Sequence, residues 1–158
     1  MGKVVSREEL VGVRRRLKAE RRSVVFTNGC FDIIHRGHVE YLSKARAMGD
    51  VLVVGLNTDA SVRRLKGPSR PVVDQDDRAV VMAALAVVDY VCLFSEDTPL
   101  ELITAIVPDV LVKGADWPID KVVGREVVES AGGRVQAIEF VPDRSTTSII
   151  DRIRSSGR

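Results

Sequence analysis

The chain has 158 residues, of which 45% are apolar and 29% charged, with a formal net charge of +2. This is globular composition, and the length fits one domain able to bury roughly two-thirds of its unfolded surface. The small net charge gives no basis for a nucleic-acid or membrane-surface partner, and Cys30 and Cys92 are too few for a disulfide framework. No apolar run reaches the roughly 20 residues of a membrane span, and no signal-peptide core opens the chain, so a cytoplasmic protein is expected.

Ser6 with Glu9 three residues on is a capping-box pattern, so a helix is expected over 6–20. It forms an N-terminal element (1–22) packed on the domain proper (23–158). Apolar runs follow at 23–27, 51–56, 89–94, 109–113 and 134–140. They are rich in Val, Ile and Leu without clean alternation, as strands buried on both faces are. Helical patterns lie between and after them, near 38–48, 58–65, 75–87, 99–106, 121–131 and 146–154. Such alternation predicts a three-layer α/β fold: a Rossmann-like five-stranded parallel sheet of order 3-2-1-4-5, in a single domain with right-handed crossovers. Lys66 to Pro71 is the longest irregular piece, marked as a loop by Gly67, Pro68 and Pro71.

In open α/β sheets, ligands sit beyond the carboxyl ends of the strands where the strand order reverses. For this order the crevice lies between strands 1 and 4. The segment after strand 1 runs from Thr27 to His38, with both histidines of the chain three residues apart. Lys113-Gly114-Ala115-Asp116-Trp117 follows strand 4, and Ser145-Thr146-Thr147 opens the last helix after strand 5. These polar segments converge on one site.

His35 and His38 can aim ring N–H donors at phosphate oxygens, helped by backbone amides and the positive end of a helix starting at Gly37 or His38. Gly37 lets that helix start approach a phosphate closely. A zinc site lacks ligands, since there is no third histidine and Cys30 has no ligand spacing. Asp32 can orient an imidazole or a lysine, bind a metal, or serve as a turn carboxylate satisfied by amides. Lys44 reaches a phosphate or sits on a solvated helix face. Arg63, Arg64, Lys66 and Arg70 surround the loop after strand 2, either closing over a triphosphate and an anionic co-substrate or facing solvent. Lys113 ends a buried strand, where its charge needs a partner and a phosphate is suitable. Ser145 and Thr146 supply capping hydroxyls compatible with phosphate binding, and Trp117 stacks on a base or covers the sheet edge.

His35-Arg36-Gly37-His38 matches the His-x-Gly-His motif, and on it the chain resembles the cytidylyltransferase-like nucleotidyltransferases. The Asn28-Gly29 turn, the block from Asn57 to Pro71 and Lys113-Gly114-Ala115-Asp116 narrow the resemblance to the D-glycero-β-D-manno-heptose 1-phosphate adenylyltransferases, over nearly the whole chain from about residue 23. The chain departs from that pattern at Pro142-Asp143-Arg144, where a glycine is common, and at Ala115 and Trp117, where Gly and Tyr are common.

The resemblance implies adenylyl transfer from ATP to heptose 1-phosphate, giving ADP-heptose and pyrophosphate with Mg²⁺, for lipopolysaccharide or surface-glycan precursors. It also implies a homodimer, acting as a stand-alone transferase after a separate heptose-phosphate kinase. On this basis His35 and His38 hold phosphates at the reacting centre, and Lys66 with Arg63 or Arg64 neutralises the two substrates. Asn28, Gly29, Cys30, Phe31, Gly37, Lys44, Gly114, Asp116 and Ser145 to Thr147 hold the nucleotide. Lys113 and Arg144 join the sugar-phosphate contacts, Asp32 orients the site, and no metal ligands come from the protein. The competing expectations are a cytidylyltransferase for glycerol 3-phosphate or another alcohol phosphate, an FAD synthase, or a nucleotide-binding module without turnover. A dinucleotide-dependent oxidoreductase is excluded, because the turn lacks the Gly-x-Gly-x-x-Gly fingerprint.

Overall fold

Strands β1 (Lys3–Val4), β2 (Val24–Gly29), β3 (Val51–Asn57), β4 (Tyr90–Phe94), β5 (Val110–Gly114) and β6 (Arg134–Ile138) form one sheet in the computed structural model, which describes residues 1–115, 118–139 and 145–156. Every pairing is parallel and the order is β1-β4-β3-β2-β5-β6. The sheet therefore has six strands and not the five expected. The added strand pairs Lys3 with Tyr90 and Val4 with Val91 at the edge. Two exposed residues carry no apolar run, which is why the sequence pattern did not mark them. The remaining strands keep their expected relative order, so β2 pairs with β3 on one side and β5 on the other.

The helices are α1 (Arg7–Ala19), α2 (Arg36–Arg46), α3 (Asp59–Lys66), α4 (Gln75–Ala84), α5 (Leu100–Ile106), α6 (Arg125–Ser130) and α7 (Thr146–Ser156). Their starts follow local chemistry. Ser6 and Glu9 form the reciprocal capping box of α1, Thr58 accepts from the Ser61 amide at α3, and Asp74 accepts from the amides of Asp76 and Asp77 at α4.

The strand β3 shows how the layers arise. All seven of its residues are buried. Leu52, Val54 and Leu56 point to one face and join Leu42 and Ala45 of α2 and Met82 of α4. Val51 and Val53 point to the other and join Leu10 and Leu17 of α1, Leu102 and Ile103 of α5 and Val128 of α6. A strand apolar on both faces needs helices on both faces, and each fully buried aliphatic contributes about 1.5–3 kcal/mol. Gly55 is the exception in side-chain size, because a Cβ there would come 2.8 Å from the Phe26 ring.

Candidate functional site

The chain leaves β2 through Asn28 and Gly29 and turns at Phe31, which takes a left-handed φ of 43°. Such backbone in a bulky residue is strained and persists only where the surroundings enforce it. The Phe31 ring occupies the space beside Gly29, where a Cβ would meet it at 2.9 Å. It also packs edge-on against His38, with centroids 5.1 Å apart.

His35 caps α2, its Nδ1 accepting the Gly37 N–H at 3.1 Å. In the neutral ring that acceptor role leaves the proton on Nε2. His35 and His38 stack with centroids 3.8 Å apart and planes 23° apart. Burial first, and then the neighbouring His35, push the His38 pKa down to about 4. His38 is thus a neutral hydrogen-bonding ring near pH 7, and its buried Nδ1 has no hydrogen-bond partner.

A cavity of about 630 Å³ opens at the ends of β2 and β5. The turn lines it through Asn28, Gly29, Cys30, Phe31 and Asp32, and α2 through His35, Gly37, His38 and Tyr41. Across from them lie Lys113 and Gly114 of β5 and Ser145, Thr146 and Thr147 at the start of α7. Lys66 and Arg70 enter from the α3–α4 segment. The Lys113 ammonium donates to the Asn28 side-chain oxygen, so this end-of-strand charge meets an amide dipole at the crevice floor. Thr146 donates to the Ile33 carbonyl at 3.4 Å, which ties the start of α7 to the turn.

Several expected site residues lie elsewhere. Lys44 is on the exposed face of α2 and does not line the cavity, because the opposite, buried face of that helix packs on the sheet. Arg64 points away, donating to Asp97 at 2.8 Å and to the Ser95 carbonyl. Arg63, beside it on the exposed face of α3, is also absent from the lining. Helical periodicity accounts for Arg64, which sits about 200° around the axis from Lys66; Arg63, about 60° from Lys66, shares its side of α3 but does not line the cavity. Asp116, Trp117 and Arg144 lie outside the described residues.

Asp32 resolves its alternatives in favour of a turn carboxylate. It is 3% exposed and accepts from the amides of Val72 and Val73 at 2.8 and 2.9 Å and from Arg70 Nε at 2.6 Å. Burial alone would raise its pKa, but the Val73 and Val72 amides and Arg70 together take it below the ordinary carboxylate value. It therefore anchors the segment that carries Arg70 into the cavity, a positioning task.

Sequence reasoning missed Arg78. This residue of α4 is 1% exposed, and its guanidinium donates to the carbonyls of Val73, Cys30 and Asn57 and to the Asp59 carboxylate. One side chain thus joins the β2 turn, the end of β3, the start of α3 and the Arg70 segment. Asn57 and Leu65 also line the cavity unforeseen. With charged Asp76 and Asp77 beside it in the helix, nothing local marks Arg78 as inward-facing.

The cavity favours anions. Among the described lining residues the cations are Lys66, Arg70 and Lys113, and the only carboxylate is Asp32, already engaged. No group of three or more His, Cys, Asp or Glu suited to a metal occurs among the described residues. The described side chains therefore supply no three-carboxylate cage of the kind a divalent ion needs on its own. Burial also raises the Cys30 thiol pKa, against the pull of Lys66, Arg78 and Arg70, so it is not poised as a nucleophile.

Residues 26–153 match the family model described as cytidylyltransferase-like. The chain belongs to the cytidylyltransferase-like family. This cytidylyltransferase-like chain is 58% identical to the bifunctional protein HldE of Trichlorobacter lovleyi over 96% of its own length and 31% of that protein's. It is 63% identical to the bifunctional protein HldE of Citrifermentans bemidjiense over 85% of its length and 28% of the relative's. It thus spans about a third of the curated relatives it matches. Among solved structures it resembles a lipopolysaccharide core biosynthesis protein from Thermoplasma volcanium, with a TM-score of 0.62 and 29% identity over 76% of this chain and 97% of that one. A pantoate-beta-alanine ligase from Francisella tularensis shares the fold alone, with a TM-score of 0.64 at 14% identity over 92% of this chain and 69% of that one. No helix among the described residues is long and apolar enough to cross a membrane.

Proposed function

We propose that this cytidylyltransferase-like domain transfers AMP from ATP to D-glycero-β-D-manno-heptose 1-phosphate, forming ADP-heptose and releasing pyrophosphate. The observation that carries the chemistry is the stacked His35–His38 pair at the start of α2, opening on a cavity lined by the cations Lys66, Arg70 and Lys113. Similarity to HldE proteins and to a lipopolysaccharide core biosynthesis protein supports the sugar.

In this reaction an oxygen of the acceptor phosphate attacks the α-phosphorus of ATP. The new O–P bond forms as the bond to the β-phosphate bridging oxygen breaks, and pyrophosphate leaves in line. No protein nucleophile is required, which suits a neutral Cys30. The protein holds geometry and stabilises charge. His35 donates from Nε2 and His38 from its single N–H to the phosphate oxygens, with the amides at the starts of α2 and α7 adding fixed positive dipoles. Lys66 and Lys113 offset the repulsion between two polyanionic substrates. Mg²⁺ arriving with ATP would lower the charge on the phosphates. Within the same proposal the acceptor comes from an upstream heptose-phosphate kinase, and the protein works as a cytoplasmic homodimer.

Incubation with ATP, CTP or GTP against a panel of sugar 1-phosphates, glycerol 3-phosphate and FMN tests the reading. Pyrophosphate release is expected with ATP and heptose 1-phosphate. Release only with CTP and glycerol 3-phosphate, or only with FMN, would overturn it.

A further inference from the structure

Arg70 differs from every other guanidinium around the cavity. Its side chain is 16% exposed and lines the cavity wall. Nε donates to Asp32 and the backbone N–H donates to the Gly67 carbonyl at 3.2 Å. No hydrogen bond or ion pair among the described residues engages Nη1 or Nη2. Arg78, by contrast, has Nε, Nη1 and Nη2 all committed to protein acceptors, and Arg64 is turned toward Asp97 and Ser95.

The anchor behind Arg70 is rigid. The Asp32 side chain is 1% exposed and held by two backbone amides of the same segment that bears Arg70. The guanidinium plane is therefore fixed along its inner edge while its outer edge stays open. An open Nη1/Nη2 edge presents parallel N–H donors at the spacing of two phosphate oxygens, and its pre-organisation reduces the entropy lost on binding. The position also separates it from the cation on the opposite wall. Arg70 and Lys66 flank the cavity from the segment after β3, whereas Lys113, Gly114 and the start of α7 flank it from the β5 side. In-line displacement needs the incoming oxygen and the leaving pyrophosphate on opposite sides of the α-phosphorus.

We infer that Arg70 is the acceptor-phosphate fork: its Nη edge grips the phosphate monoester of the sugar phosphate, with Lys66 as the second cation and Asp32 setting the plane. This inference rests on the nucleotidyl-transfer reading.

The test is calorimetric titration of the protein saturated with α,β-methylene-ATP, using D-glycero-β-D-manno-heptose 1-phosphate and, as a sugar-independent probe, inorganic phosphate. Arg70→Lys keeps the charge beside Asp32 but removes the fork. It is expected to weaken binding of both probes at least tenfold, while the Kd of α,β-methylene-ATP stays within about twofold of wild type. Arg70→Gln should weaken the probes further, and thermal melts of both variants check the fold. Unchanged probe affinity in Arg70→Lys overturns the fork, as does an equal loss of α,β-methylene-ATP affinity, which would put Arg70 on the triphosphate. If the wild type transfers nucleotide but probe binding ignores Arg70, the fork alone fails. If phosphate binding depends on Arg70 but no nucleotide is transferred to any acceptor, the fork stands and the transferase reading fails.

Discussion

The imidazole rings of His35 and His38 lie face to face, 3.8 Å between centroids, at the first turn of α2. Two stacked rings cannot both carry charge cheaply, and His38 is held neutral down to about pH 4. An ordinary histidine titrates near 6.5. Between those values the unfolded chain binds a proton that the native ring refuses. Stability from this site is therefore full above about pH 6.5 and falls as pH drops toward about 4. After allowance for partial exposure the loss is on the order of 2 kcal/mol. Urea unfolding of wild type and His38→Gln at about pH 4.5 and pH 7 should show a smaller pH effect in the variant. Equal pH slopes would contradict the buried neutral ring.

The same linkage reaches the ligand. A triphosphate beside the ring favours its charged form and raises its pKa. ATP binding near pH 6 should accordingly take up protons, and less in His38→Gln. Calorimetry in buffers of different ionisation enthalpy measures this directly; identical uptake in both proteins would exclude His38 as the proton's destination.

Arg78 should be the costliest single loss near the site. Replacing it with Met leaves the Asp59 carboxylate and three carbonyls without their donor. Removing one partner of a buried ion pair costs about 3 to 5 kcal/mol. Denaturant unfolding of Arg78→Met reads the value, and a loss below about 1 kcal/mol would show that the network is dispensable.

Arg64 and Lys44 should be nearly silent in catalysis. Arg64 is engaged with Asp97 on the far side of α3, and Lys44 is exposed on α2. Alanine at either position is expected to leave kcat/KM for both substrates within about twofold, since exposed ion pairs contribute little. A tenfold loss for Arg64→Ala would return it to the sugar-phosphate site.

These outcomes also mark what the sequence could reveal. Buried parallel strands show as unbroken Val and Leu runs, so β2 to β6 were legible, as was the crevice where β2 meets β5. Short-range chemistry was legible too: the Ser6–Glu9 box, and the strand, turn and histidine pair that become β2 and the start of α2. What failed depends on long-range packing. The edge strand Lys3–Val4 exists only because β4 offers an open edge. Arg78 reaches the Cys30 carbonyl 48 residues back and Asp32 pairs with Arg70 38 residues on, and no periodicity reveals which charged residue of a helix turns inward. The cluster Arg63, Arg64 and Lys66 looked like one basic patch, but helical geometry divides it between two faces.

We propose that the histidine pair carries nucleotidyl transfer. Its most direct test is single-turnover pyrophosphate release from ATP and heptose 1-phosphate by wild type, His35→Ala and His38→Ala, with melting curves taken alongside. Wild type should release pyrophosphate, and each variant should do so about 100- to 1000-fold more slowly while still melting as a folded protein. Near-wild-type release by either folded variant would contradict the account.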